Sequence, residues 1–245
     1  MVTLQCGNTR FEGIEAILFD KDGTLADSQH YLRHLAQKRA RLIDAQVPGV
    51  YEPLLMAFGI DGYQCNNAGL MAVGSRQENE IAAAAYVAET GYKWLDALDL
   101  VQQAFQEADR YLLHKKAEQT PLFPGTETTL STLASSLSLG ILSADSTENV
   151  RDFVEFYELP ILHYQGSEPN GLRKPNPDMV HQACQALATT ASHTLVIGDS
   201  SVDSRMARQS LAAGFVAVVW RQSGWEQPEA DAHLDDWQQL QIVSD

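Results

Sequence analysis

The sequence predicts an α/β protein, a doubly wound parallel-sheet core interrupted early by an α-helical insert. Three observations lead there. From residue 137 onward, short apolar runs alternate with stretches of helical periodicity, the pattern of a parallel sheet covered on both faces. Residues 20–136 separate the first apolar strand from the second, far more than the roughly dozen residues that a parallel crossover requires. Each predicted core strand also runs into a cluster of polar side chains.

Taken in order, residues 14–19 read as a short buried strand bounded by Gly13 and Asp20. The insert that follows reads as helical throughout. Ser28 is a candidate N-cap for a helix whose apolar face uses Leu32, Leu35, Ala36, Leu42 and Ile43. Residues 77–90, including the alanine run 82–85, form a second helix stopped by Gly91. A third uses Trp94, Leu95, Leu98, Val101, Phe105, Ala108 and Leu112, with Lys115 and Lys116 at its negative dipole end. Residues 119–125, with Pro121 and Pro124, return the chain to the core. There, strands at 137–143, 161–164, 194–197 and 215–220 alternate with helices at 147–157, 178–188 and 202–213, the last ended by Gly214. The expected division is a core of residues 1–26 and 120–245 and an inserted helical domain of residues 27–119.

The totals narrow the function. A chain of 245 residues with 44% hydrophobic and 20% charged residues can bury a substantial core. No apolar run approaches the roughly 18–20 residues that span a bilayer. The first residues do not read as a secretory signal. Cys6, Cys65 and Cys184, odd in number and without a CxxC pair, favour free thiols in a reducing, cytoplasmic compartment. A net charge of −15 argues against nucleic acid as a partner, since phosphate-backbone binding needs clustered Lys and Arg. It leaves a small phosphorylated metabolite open, because a metal or a few local cations can reverse the field in one pocket.

In open α/β sheets, ligands bind outside the carboxyl ends of the strands. The first strand ends at Asp20 and Asp22, and the second at Ser143, Ala144 and Asp145. The loop 171–177, GLRKPNP, carries Lys174, and the next strand ends at Asp199 with Asp203 beyond it. As turn residues Asp20 and Asp22 would be unremarkable, but that reading says nothing about the other three clusters. Together they make a coherent phosphoryl-transfer site. A carboxylate can form an aspartyl-phosphate, and a hard cation such as Mg²⁺ prefers carboxylate and carbonyl oxygens. A lysine, hydroxyls and backbone N–H groups can hold the phosphoryl oxygens.

In that order, FDKDGTLAD, ILSAD, LRKPNP and VIGDSSVD resemble the four motifs of the haloacid dehalogenase-like (HAD) hydrolase superfamily. The helical insert is similar to the cap domain that interrupts its Rossmann-like core after the first motif. The resemblance, to the phosphoglycolate phosphatase and β-phosphoglucomutase branch, implies Asp20 as nucleophile and Asp22 as general acid/base. It implies a Mg²⁺ ion held by Asp20, the Asp22 carbonyl and Asp199. It further implies that Ser143, backbone N–H groups at Ala144 and at the turn through Gly23 and Thr24, and Lys174 bind the phosphoryl group. Asp203 would orient Lys174 or water. Lys21 departs from the usual pattern, which more often has an apolar residue there, and Ala144-Asp145 follows Ser143 where an asparagine often comes next. A phosphatase is the expected activity, with a mutase-like phosphotransferase as the alternative and a catalytically silent binding module as the alternative of another class. A haloacid dehalogenase or phosphonatase is disfavoured, because Asp22 fills a position where those branches lack the acid.

Two further features stand in the insert. Arg76, in Gly74-Ser75-Arg76, is loosely similar to a cap loop of β-phosphoglucomutases and could grip a second anionic group of a substrate. His30 and His34 have metal-ligand spacing but no third ligand or HExxH pattern, so they read as an ordinary helix face.

Overall fold

The N-terminal residues build two strands that the sequence reading did not anticipate. β1 (Val2–Cys6) turns at Gly7 into β2 (Thr9–Ile14), and the pair runs antiparallel with Leu4, Cys6, Phe11 and Ile14 buried. Glu15 then separates β2 from β3 (Ala16–Phe19), all four of whose residues are buried. The strand expected at 14–19 is therefore two elements, because Ile14 closes an antiparallel ladder while Ala16 opens a parallel one. The computed structural model describes residues 1–62, 64–66, 68–111, 116–168, 171–220 and 229–243. The chain divides into two compact units, Met1–Asp27 with Pro121–Asp245, and Ser28–Thr120.

In the second unit, α1 (Gln29–Asp44) buries Leu32, Leu35, Ala36 and Ile43. Ser28 occupies the N-cap position, but its side chain makes no capping hydrogen bond. α2 (Tyr51–Phe58) tolerates Pro53 in its first turn, where no helical donor is lost, and ends at Gly59. β4 (Ile60–Asp61) and β5 (Gln64–Cys65) pair antiparallel, so the insert is not helical throughout. α3 (Leu70–Val73) leads to α4 (Arg76–Glu89), which starts from a capping box between Ser75 and Glu78. α5 (Trp94–Tyr111) buries Ala97, Val101, Ala104, Phe105 and Ala108, spaced at helical period. Trp94 and Leu95, expected on that face, are exposed instead, since the buried stripe begins at Ala97. α6 (Lys116–Gln119) closes the unit. Leu112 and Lys115 lie outside the described residues.

On return to the first unit, Asp27 N–H donates to Pro121 O at 2.7 Å and Phe123 N–H to Leu25 O at 3.0 Å, tying the outgoing and incoming strands together. α7 (Thr126–Ala134) is a helix that the sequence reading missed. β6 (Ser138–Leu142), α8 (Thr147–Phe156), β7 (His163–Gln165), α9 (Asp178–Ala186), β8 (Thr194–Gly198), α10 (Ser201–Gln209) and β9 (Gly214–Val218) follow. β10 (Ala232–Leu234) and β11 (Leu240–Val243) end the described chain. β7 sits two residues later than expected, where His163 pairs with Gly140.

α10 does not run to Gly214. It ends at Gln209, the chain turns through Leu211 at φ +58°, and Gly214 opens β9. A Cβ at Gly214 would stand 2.6 Å from a ring carbon of Phe11, so that glycine serves close packing rather than helix termination.

The main sheet has the order β10-β9-β8-β3-β6-β7, parallel at every pairing, and β11-β1-β2 form a separate antiparallel sheet. Leu18, Val196, Phe215 and Ala217 pack on Met179, Val180 and Ala183 of α9 and on Met206 and Ala207 of α10. Phe19 is level with Ile141 on one neighbour and Ile197 on the other, so the residues that follow these three strands share one edge. Among the described residues, no helix is long and apolar enough to cross a membrane.

Phe215 is fully buried in the central sheet. Phe215→Ala is expected to lower unfolding free energy by about 3–5 kcal/mol, read as a lower chemical-denaturation midpoint with unchanged slope.

Candidate active site

β3 delivers Asp20 to the sheet edge. Its N–H donates to Ile197 O at 2.8 Å, extending the ladder by one residue. The chain then folds back on itself, with Leu25 and Ala26 N–H both donating to Lys21 O and Gly23 N–H donating to Ala26 O. Gly23 has φ +94°, and a Cβ there would lie 2.1 Å from Asp199 Oδ2. Its role is thus to let the loop approach Asp199; its N–H, expected to help hold a phosphoryl group, is engaged within the loop. Thr24 is fully buried, and its carbonyl accepts from the Trp220 indole at 2.8 Å. The turn encloses the threonine rather than presenting it at the edge.

Three elements bring charge to Asp20. Lys174, from the segment before α9, donates from Nζ to Asp20 Oδ1 and to Asp203 Oδ1, both at 2.6 Å. Asp203 is buried in the first turn of α10 and caps it reciprocally with Ser200. Its Oδ2 accepts from Ser200 N–H at 3.2 Å and Ser200 Oγ at 2.5 Å. The Ser-x-x-Asp spacing of that capping box was visible in the sequence, but the sequence reading did not use it. Asp199, at the end of β8, completes a group in which oxygens of Asp20, Asp199 and Asp203 lie within 4.8 Å of one another.

The electrostatics follow from burial. Asp20 is pushed up from 3.8 to about 6, chiefly by desolvation, with the Lys174 ammonium opposing and Asp203 adding to the rise. Desolvation, then Asp20 and Asp203, raise Asp199 well above the usual carboxylate range. For Lys174 burial works against the charged form, but Asp20 and Asp203 outweigh it and the ammonium is strengthened.

Ser143 follows β6. Its N–H donates to Gln165 O at 3.0 Å, and its Oγ accepts from Asp145 N–H at 3.1 Å, which leaves the hydroxyl proton to donate elsewhere. Ala144 beside it is half-buried. Asp22 accepts from Lys21 Nζ at 2.7 Å, and the same ammonium lies 3.3 Å from Asp145. Asp20, Asp22, Gly23, Ser143, Ala144, Lys174, Asp199 and Asp203 therefore gather at one sheet edge. Arg76 belongs to the other unit, where its guanidinium is held by Glu80 at 2.8 Å and by Asp109. His30 and His34 are neighbours on α1, with ring centroids 4.1 Å apart and planes tilted by 58°.

The cluster fits a hard divalent cation. Three carboxylates against one ammonium leave two negative charges when all are ionised. Asp20 Oδ2 is buried and makes no hydrogen bond among the described residues, an arrangement that is costly unless something cationic accompanies it. Both oxygens of Asp203 are already occupied by Lys174 and Ser200, which makes Asp20 and Asp199 the better ligands and Asp203 their support. Raised carboxylates bind protons in the native state that the unfolded chain has released. Without a cation, stability should therefore fall as pH rises from about 4 through about 6. Above that range a divalent cation is expected to raise the melting temperature, by an increment worth about 3 kcal/mol at a hundredfold excess over Kd. Gly23→Ala, which puts a methyl group against Asp199, should abolish the increment in the same thermal scan.

The comparisons with known proteins agree with this geometry. A family model described as haloacid dehalogenase-like hydrolase matches residues 14–210. The chain is 25% identical over 238 residues to a phosphoglycolate phosphatase of Aliivibrio fischeri, covering 96% of this chain and 94% of that protein. Among solved structures it resembles one from Haemophilus somnus described as a predicted phosphoglycolate phosphatase, with TM-score 0.66, 21% identity and coverage of 94% and 96%. It also resembles a 2-haloacid dehalogenase from Pseudomonas syringae pv. Tomato, with TM-score 0.59, 20% identity and coverage of 92% and 96%, so the shared fold does not by itself choose the chemistry. With the family model spanning most of the parallel core and the inserted unit, the chain belongs to the haloacid dehalogenase-like hydrolases.

Proposed function

We propose that this protein is a Mg²⁺-dependent phosphatase of small phosphorylated metabolites, working through an aspartyl-phosphate on Asp20. The observation that carries the reading is the state of Asp20. One oxygen is tied to Lys174, and the other is buried and makes no hydrogen bond among the described residues, in a carboxylate that clusters with Asp199 and Asp203. That is a carboxylate held in one orientation with an oxygen available for bond formation. The similarity to a phosphoglycolate phosphatase favours a small anionic phosphate ester as substrate.

An oxygen of Asp20 attacks phosphorus as the bond to the ester oxygen breaks, and Asp22 gives that oxygen a proton. Water then attacks the phosphoryl group on Asp20, with Asp22 taking a proton from it, and the Asp20 carboxylate leaves. The Lys174 ammonium offsets charge on the phosphoryl oxygens while it keeps Asp20 aligned. The Ser143 hydroxyl and the Ala144 N–H would donate to that group. Asp20, the Asp22 carbonyl and Asp199 would hold Mg²⁺, which supplies charge neutralisation for the phosphoryl group. Asp203 keeps Lys174 in place. The helical unit would act as the cap that selects the leaving group, and three buried free cysteines fit a reducing, cytoplasmic setting.

Asp20→Asn should lower turnover of p-nitrophenyl phosphate by on the order of a thousandfold or more while the fold stays intact, read as an unchanged far-ultraviolet circular dichroism spectrum. EDTA should abolish the wild-type activity, and added Mg²⁺ should restore it. Release of inorganic phosphate from phosphoglycolate without isomerisation of hexose phosphates fits the phosphatase. Isomer formation would indicate a mutase, and no metal-dependent turnover of any ester in a metabolite panel would leave only a binding role.

A further inference from the structure

The loop after β3 holds a lysine to which the chemistry above assigns no task. Lys21 is among the largest fully buried side chains, only 1% exposed. An ammonium so enclosed persists only if it is paired and hydrogen-bonded. Its Nζ donates to Asp22 Oδ2 at 2.7 Å, lies 3.3 Å from Asp145 Oδ2 and stands 5.4 Å from the Phe153 ring centroid. Asp145 is itself fixed at the start of α8, where its Oδ1 accepts from Ser146 N–H at 2.9 Å and Asn149 Nδ2 at 2.7 Å. The ammonium therefore links the loop after β3 to the loop after β6.

We propose that Lys21, anchored by Asp145, is a positioning residue for proton transfer by Asp22: its contact with Oδ2 fixes the orientation of that carboxyl group. The inference rests on the phosphatase reading, with Asp22 as the acid. As Asp20 bonds to phosphorus and the ester P–O bond breaks, the departing oxygen takes its proton from Asp22. Lys21 keeps its own protons and contacts neither phosphorus nor leaving group. An alkoxide is a strong base and needs that proton, whereas p-nitrophenolate leaves readily without it. Misplacing Asp22 should therefore slow alkyl esters selectively, a selectivity that general loss of structure would not produce.

The test compares phosphoglycolate with p-nitrophenyl phosphate under saturating Mg²⁺. In Lys21→Met, kcat/KM, which reports transfer to Asp20 and not the later hydrolysis, is expected to fall on the order of 10- to 100-fold for phosphoglycolate and by less than about threefold for p-nitrophenyl phosphate. Asp145→Asn should shift the ratio of the two rates in the same direction. Lys21→Met placed in an Asp22→Asn background should leave that ratio where Asp22→Asn alone puts it. If the single Lys21 variant does not fold, the Lys21→Met/Asp145→Asn double variant, which removes ammonium and anchor together, should show the same selective loss. An equal fall of kcat/KM for both esters, no fall for either, or a further change of ratio in the Asp22→Asn background would overturn the assignment. Should the wild type hydrolyse neither ester, the phosphatase reading itself fails and the role given to Lys21 falls with it.

Discussion

The core site is organised around one ammonium shared by two carboxylates. Lys174 reaches Asp20 and Asp203 at 2.6 Å each, and all three groups are buried. Removing one partner from such a group costs about 3–5 kcal/mol, because it strands the remaining charge in a poorly solvated place. That contact joins β3, the segment before α9 and the first turn of α10, elements far apart in the chain. It also sets the direction of the Asp20 carboxyl, since one of its oxygens is fixed on Lys174.

Space is controlled as closely as charge. The approach of the β3 loop to Asp199 exists only because Gly23 has no side chain and adopts a positive φ. At the end of β8, a Cβ on Gly198 would stand 2.5 Å from the Asp203 carboxyl carbon, so the strand yields room for the residue that supports Lys174. Aromatic side chains brace the same loop from behind. The Trp220 indole binds the Thr24 carbonyl, and its ring lies against Phe123 and Trp237, with Trp237 also packed edge-on to Phe19. The loop that carries Asp20 is thus held by packing, the kind of support that the proposed nucleophile would require.

Much of this was legible in the sequence because strand and helix periods are local properties. Asp20, Ser143 and Asp199 could be placed at strand ends from apolar runs alone, and parallel pairing then put those ends on one edge. Strands outside the parallel core were harder to read. β1 and β2 show no regular alternation, and β1 also depends on a partner far along the chain, as Thr3 does on Val243. The expected roles of Gly23 and Thr24 shifted for a similar reason. A motif gives their order, but only the folded loop shows that one yields space and the other is enclosed.

By itself, the sequence determined the parallel core, the helical character of most of the insert and the set of acidic and basic residues at the sheet edge. Those follow from hydrophobic period and from the chain order of the strands. Only the tertiary structure decided which charges meet: Lys174 with both Asp20 and Asp203, Lys21 with both Asp22 and Asp145, and Arg76 with Glu80 and Asp109. Charge pairing in a buried site depends on separations of a few ångströms between segments remote in the chain, and no local pattern encodes those separations.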